Sequence, residues 1–369
     1  MTTNHNRRDF IKKSVLSSSL LGLGFGLNSF NNIEKQNSTN AEQPESDQTG
    51  AQRFSIERLK KWEALEYGMF IHFGMSTFSG AELGSGKDEC NLYQPNDLDV
   101  DQWVKVARDA GMKYAVLTTK HVSGHCLWPS KFTDYHVGNS ENKTDVVGAY
   151  VNACHKYGIL PGFYYCSWDN HHLFGSATPT NVAWENKFST TEYFQFQQNQ
   201  IHELLTQYGP IEEIWIDIPG MLTHEGRRKQ YAQIAELQPN ALIMMNGGLD
   251  KKMEIDPNYS WPTDLVSMER SLPQSRTGYR PWYTMENNLG EKALYYIPGE
   301  VCDTICYTWF CQKESKLRNV DELLGMRILS KVRSSNFLLN VPPDQSGKIP
   351  QATVDLLMLM EKKYRQVIA

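Results

Sequence analysis

Short apolar runs, each closed by a polar residue and followed by a loop and an amphipathic stretch, recur along the chain from Phe54 onward. The first three are Tyr67 to His72, Lys113 to Thr118 and Ile159 to Tyr165. Glu213 to Asp217, Ala241 to Asn246, Leu265 to Glu269, Thr304 to Thr308 and Phe337 to Val341 follow. Runs that stay apolar instead of alternating read as strands buried on both faces. Helical patterns fall between or after them at Asp99 to Ala110, Thr144 to Tyr157, Gln195 to Tyr208, Glu225 to Leu237, Val320 to Arg333 and Gln351 to Gln366. Eight buried strands alternating with helices predict an α/β fold, a (β/α)8 barrel over residues 54–369. A doubly wound parallel sheet is the competing architecture, weakened because no Gly-rich phosphate loop follows any run. Arg270 to Cys302 contains Pro, Gly and Trp without a clear period, and reads as a long loop over the active site.

In such a barrel the residues that end the strands face one pocket. Collected, they are His72, Lys120 with His121, Tyr165 with Trp168 and Asp169, Trp215 with Asp217, Asn246, Glu269 and Trp309. The set lacks the His-x-His spacing of a binuclear metal site, since the first strand ends His72-Phe73-Gly74, so neither a metal nor a cofactor is expected. Trp and Tyr rings stack on the C–H faces of sugars, and His, Asn and Glu bond hydroxyls, so a carbohydrate site fits these groups. Glycoside hydrolysis needs two carboxyl groups in different protonation states. Asp217, an acid closing the apolar run Ile214 to Ile218, is the first candidate. Glu269, in Ser267-Met268-Glu269-Arg270, and Glu300, in Gly299-Glu300-Val301, compete for the second.

Composition narrows the partners. A net charge of −5 leaves no basic stripe for nucleic acid. Hydrophobic residues at 40%, with 9 Trp and 18 Tyr, suit a globular enzyme that stacks flat ligands. The 7 cysteines are scattered with no Cys-x-x-Cys pair, so core thiols are the expectation. The amino terminus differs in kind. Arg7-Arg8-Asp9-Phe10-Ile11-Lys12-Lys13, followed by the apolar and small-residue run Val15 to Leu27, has the twin-arginine pattern of an export signal over residues 1–32. No Cys follows for a lipid anchor, and residues 33–53 are polar enough to read as a disordered linker. A periplasmic or secreted protein is expected.

Four motifs, in this order, resemble the α-L-fucosidase family of retaining glycoside hydrolases: Gly68-Met69-Phe70-Ile71-His72-Phe73-Gly74, Thr118-Thr119-Lys120-His121-Val122-Ser123-Gly124, Trp215-Ile216-Asp217, and Asn336-Phe337-Leu338-Leu339-Asn340-Val341-Pro342-Pro343. The resemblance runs from about Phe54 to the end of the chain. It implies a catalytic barrel, double displacement, and a fucosylated oligosaccharide or glycoconjugate as substrate. Asp217 matches the family's nucleophile. Glu269 is the better match to the acid/base, with Glu300 as the alternative. His72, His121, Tyr165 and Trp215 match residues that hold the sugar, and Glu82 resembles the first member of a Glu-Trp pair that contacts it. Two positions depart from the pattern: Val122 stands where a second His is common, and Leu83 where the Trp is. These departures keep open a related glycosidase with a different glycone. A barrel that binds sugar without hydrolysing it is the other alternative. Many members continue into a β-sandwich, for which residues 54–369 leave no room beyond the barrel.

Overall fold

The computed structural model describes residues 49–172, 190–247, 260–273, 281–286 and 292–368. The export-type segment 1–32 and residues 33–48 lie outside them. The strands of the main sheet are β1 (Tyr67–Ile71), β2 (Tyr114–Lys120), β3 (Leu160–Cys166), β4 (Glu213–Asp217), β5 (Leu242–Asn246), β6 (Val266–Glu269), β9 (Gly299–Thr304) and β10 (Ser335–Asn340). All neighbours pair in parallel, in the order β5-β4-β3-β2-β1-β10-β9-β6. The two edges, β5 and β6, meet through a parallel bridge between Met244 and Leu265, with the Asp264 amide donating to the Ile243 carbonyl at 2.8 Å. The sheet is thereby rolled into a barrel, as the periodicity predicts.

Helices α1 (Ile56–Glu63), α3 (Val100–Asp109), α4 (Val146–Tyr157), α5 (Thr191–Gln207), α6 (His224–Leu237), α7 (Val320–Val332) and α8 (Gln351–Ile368) accompany the strands, with a short α2 (Met75–Ser79) after β1. Several start at a side-chain cap, among them Ser55, Asp99, Asp145, Thr190, Thr223 and Asn319, each accepting from an amide of the first turn. No described helix is long and apolar enough to cross a membrane.

Alternation along the strands divides the apolar residues into two sets. Met69, Ile71, Ala115, Leu117, Phe163, Tyr165, Ile214, Ile216, Ile243 and Met245 face the helices. Phe70, Tyr114, Val116, Tyr164, Cys166, Trp215, Met244, Cys302 and Leu338 fill the barrel. The amino-terminal end of the barrel is stoppered by α1, whose Leu59 and Trp62 join this interior cluster with at most 1% of their surface exposed.

Three expectations are corrected. The seventh strand is Gly299–Thr304, not Thr304 to Thr308: the ladder to β10 ends at Thr304, and Tyr307 turns with φ 58°. Glu300 and Asp303 interrupt the apolar run of the true strand, whereas Ile305-Cys306-Tyr307 in the turn imitates one. Arg270 to Cys302 is not one loop, since it contains the antiparallel pair β7 (Trp282–Glu286) and β8 (Lys292–Tyr296) and the start of β9. The polar stretch read as linker up to residue 53 is docked over residues 49–53. Gln52 exchanges two hydrogen bonds with the Tyr296 backbone (3.1 and 3.0 Å), and the Arg53 guanidinium pairs with Asp264 beside the β5–β6 seam. All seven cysteines are free, and five are buried.

If α1 is the stopper of the barrel, Trp62→Ala leaves a void against Tyr114 and Leu59. Urea unfolding should then show a loss of roughly 3–5 kcal/mol, with the slope against urea unchanged; a loss under about 1 kcal/mol would mean the indole is dispensable to the interior.

Candidate active site

At the carboxyl ends of the strands the barrel holds a set of polar groups that apolar packing alone does not require. On β4 the inward positions are Glu213, Trp215 and Asp217, each two residues from the next, so one strand carries an acid at the floor, a ring midway and an acid at the mouth. Asp217 is held from three sides. The Tyr164 hydroxyl donates to Oδ2 at 2.5 Å, and Asn246 Nδ2 and the Ile218 amide donate to Oδ1 at 2.7 and 3.0 Å. Ile218 bends with φ 51°, a left-handed conformation uncommon for a β-branched residue, and this turns its amide back onto the carboxylate. Burial raises the Asp217 carboxyl above the ordinary Asp range, while Tyr164, Asn246 and Ile218 work against the rise.

Glu269 ends β6 and stands at the rim. The residue is exposed as a whole, yet crowding of its carboxyl at the pocket and then the charge of Asp217 raise it above the usual Glu value, with Asn246 donating in the opposite sense. Asn246 thus lies between the two acids and favours the ionised form of each, so the bias of Glu269 toward its proton comes from burial of its carboxyl and from the neighbouring Asp217 charge, against that bond. Glu82, from the loop after β1, reaches the same pocket, where its Oε2 accepts the Trp309 amide at 3.3 Å.

Neutral imidazoles line the other side. His72 Nδ1 lies 2.8 Å from Asn340 Oδ1, and Asn340 Nδ2 donates to the Trp309 carbonyl at 2.7 Å, so Nδ1 carries the proton and Nε2 is an acceptor. Burial, and secondarily His121, pushes His72 well down, and burial pushes His121 down to about 3. His121 lies parallel to the Tyr164 ring at 5.6 Å, and the Trp309 ring is 5.0 Å from His72. Phe70 lies beneath, within 4.5 Å of His72 and 5.1 Å of Trp215. Trp168 is buried nearby, its Nε1 donating to Asn170 at 2.7 Å.

His121 reaches the pocket because β2 is irregular. The pairing of β2 with β3 slips between Thr118 and Lys120, a bulge that turns Lys120 outward over the Tyr165 ring at 4.3 Å and leaves His121 facing in. Lys120 then pairs with Asp169 at 2.7 Å, both side chains fully buried, tying the end of β2 to the loop after β3.

The structure thus brings together His72, Glu82, His121, Asp217, Asn246, Glu269 and Trp309. Two of the residues singled out in the sequence lie elsewhere. Tyr165 points outward, its hydroxyl donating to Gln200 of α5 at 2.8 Å. Its neighbour Tyr164, which the sequence reading passed over, is the one on Asp217. In Leu-Pro-Gly-Phe-Tyr-Tyr-Cys both tyrosines are fully buried, and only strand parity separates them. Glu300 is the second position of β9 and lies deep in the interior, not at the mouth: it accepts from Tyr114 and, at 2.8 Å, from Trp215 Nε1. Trp215 accordingly stands midway down the barrel, its indole N–H turned to Glu300 below. Of the two departures, Val122 is fully buried in the interior cluster and Leu83 is 53% exposed.

The alpha-L-fucosidase family model matches residues 33–362. Alpha-L-fucosidase 1 of Arabidopsis thaliana is 32% identical over 316 residues, which cover 80% of this chain and 57% of that protein. A putative alpha-L-fucosidase 1 of rice is 32% identical over 84% of this chain and 58% of its own length. The chain thus spans less than two thirds of these plant relatives. Among solved structures, a putative alpha-L-fucosidase from Bacteroides thetaiotaomicron superposes with a TM-score of 0.69 at 32% identity, over 84% of this chain and 67% of that one. Alpha-L-fucosidase isoenzyme 1 from Paenibacillus thiaminolyticus gives 0.68 at 28%, over 84% and 75%.

Because the Tyr164 hydroxyl favours the ionised form of Asp217, its removal in Tyr164→Phe raises the Asp217 carboxyl further. Difference infrared titration against Asp217→Asn should show the midpoint moving to higher pH; an unmoved or lowered midpoint means that the hydroxyl does not bond the carboxylate.

Proposed function

The chain belongs to the alpha-L-fucosidase family, and from that premise we propose that it is an exo-acting retaining α-L-fucosidase releasing terminal α-L-fucose from oligosaccharides or glycoconjugates. The observation that carries the reading is the Asp217–Asn246–Glu269 constellation at the mouth of a barrel lined by Trp and neutral His. One acid there is fixed by three donors, and the other is raised by burial of its carboxyl and then by the first one's charge. Asp217 attacks the anomeric carbon as Glu269 delivers its proton to the glycosidic oxygen. The C–O bond to the aglycone breaks, the aglycone leaves as an alcohol, and a β-fucosyl ester forms on Asp217. Glu269, now a carboxylate, takes a proton from water as that water attacks the same carbon, and Asp217 is released as a carboxylate. Two inversions give net retention. His72 Nε2 accepts a sugar hydroxyl, and the Trp309 ring covers an apolar face. Because both imidazoles stay neutral, they bond hydroxyls without competing for the negative charge that Asp217 needs.

Purified protein is expected to release fucose from an aryl α-L-fucoside. Asp217→Gly should lose about 10³-fold or more in kcat and regain turnover with azide, yielding the β-fucosyl azide. Glu269→Ala should spare aryl fucosides with good leaving groups and lose on oligosaccharides. If Glu300→Ala gives that split and Glu269→Ala does not, the acid/base is misassigned; if folded wild type releases no fucose from any of these substrates, the activity is.

Residues 1–32 we assign as a twin-arginine signal directing a periplasmic or secreted protein. The free cysteines support this reading, since a fold without disulfides can be completed before export. In a twin-arginine-competent bacterium the full chain should appear outside the cytoplasm, and the double change Arg7→Lys, Arg8→Lys should retain it inside. Equal export of both forms, or none of either, would overturn the assignment.

A further inference from the structure

Below the pocket the barrel contains a second pair of acids that the reaction does not use. Glu213 opens β4 and Glu300 is the second residue of β9; both are fully buried with 0% of their surface exposed. They come from non-adjacent strands, and each carboxyl is the other's electrostatic neighbour across the interior. The donors around them are unevenly shared. Glu300 accepts from the Tyr114 hydroxyl of β2 through Oε1, and through Oε2 from Trp215 Nε1 at 2.8 Å. Glu213 receives only a long bond to Oε2, from Trp62 Nε1 at 3.3 Å, and its buried Oε1 finds no donor among the described residues. Two carboxylates in contact in such a place would leave one charge uncompensated.

We propose that Glu213 and Glu300 form an acid–carboxylate pair that positions Trp215, and through it the floor of the pocket, with the proton on Glu213 and the charge on Glu300. The Glu213 O–H then donates to Glu300, which supplies the otherwise idle Oε1 with a role. Burial, and after it the facing Glu300, raises Glu213 far above the carboxylate range; burial lifts Glu300 as well, to about 7, but there the bonds from Tyr114, Trp215 and Glu213 oppose the rise, so the proton settles on Glu213. Trp215 is where the pair meets the reaction. It lies two residues from Glu213 and two from Asp217 on one inward face, and its ring is 5.1 Å from Phe70. Phe70 in turn packs on His72 at 4.5 Å and Tyr164 at 5.8 Å. An indole N–H cannot flip to accept, so a fixed acceptor below sets how the ring stands. The pair is a positioning device: both acids lie at the end of the barrel away from the mouth, and among the described residues no chain of hydroxyls links them to Asp217.

The inference rests on the fucosidase reading only for its kinetic measurement, so unfolding is recorded beside activity. Identical Glu→Gln changes should act unequally. Glu213→Gln replaces the acid O–H by an amide N–H aimed at Glu300, and should keep kcat on an aryl α-L-fucoside within about threefold of wild type and leave the thermal midpoint in place. Glu300→Gln removes the charged acceptor, and should lower kcat about tenfold with a smaller change in KM. Glu300→Met should lower it about a hundredfold, and in a Trp215→Phe background, where the indole donor is gone, should change it less than about threefold. Each kcat is normalised to folded protein, so a merely structural role would lower the midpoint and leave kcat alone. The proposal is overturned if Glu213→Gln costs as much as Glu300→Gln in both kcat and thermal midpoint, or if Glu300→Met is as damaging without the indole as with it. Should wild type not cleave fucosides, the same unequal effects and the same cycle are read in unfolding free energy, and their absence there counts equally against the pair.

Discussion

Alternation across a closed sheet is the constraint on which the site depends. Every strand residue must face either the barrel interior or the helices, and adjacent residues cannot share a side. That rule puts Glu213, Trp215 and Asp217 in one column, places Tyr164 on the catalytic acid and sends Tyr165 to Gln200. It also explains why a barrel this aromatic contains ordered polar groups. Rings such as Phe70, Tyr114 and Trp215 fill the volume, and the hydroxyls and indole N–H groups at their edges satisfy the buried acids.

Two levels of charge result, and their surroundings differ. At the mouth, Asp217 has three donors and an acid partner at the rim, so one group is kept ionised and the other is biased toward its proton. At the floor, Glu213 and Glu300 are sealed beneath Trp62, and desolvation dominates both. Trp215 is the only strand position of β4 between the levels on that face, and so it belongs to both.

Much of this was legible in the sequence. Buried strands without alternation, separated by amphipathic helices, specify the barrel, and the residues at its strand ends include His72, His121, Asp217, Asn246, Glu269 and Trp309. What failed was parity. A strand that is apolar on both faces gives no sign of which residues point inward, and so the sequence does not separate Tyr165 from Tyr164. The seventh strand was displaced for a related reason: its two acids made it look like a loop, and the apolar turn after it looked like a strand. Glu300 looked catalytic because it was placed at the end of a loop leading to the pocket, when in fact it lies one residue into a strand, at the opposite end of the barrel.

The bulge in β2 bears on how the molecule can change. A single extra residue between Thr118 and Lys120 exchanges the faces of everything beyond it: the ammonium goes out to Asp169 and the imidazole comes in beside Tyr164. Straightening the bulge with every residue kept would turn the ammonium into the pocket in place of the neutral ring and strip Asp169 of its partner, so the position of His121 depends on Thr119 staying outside the ladder.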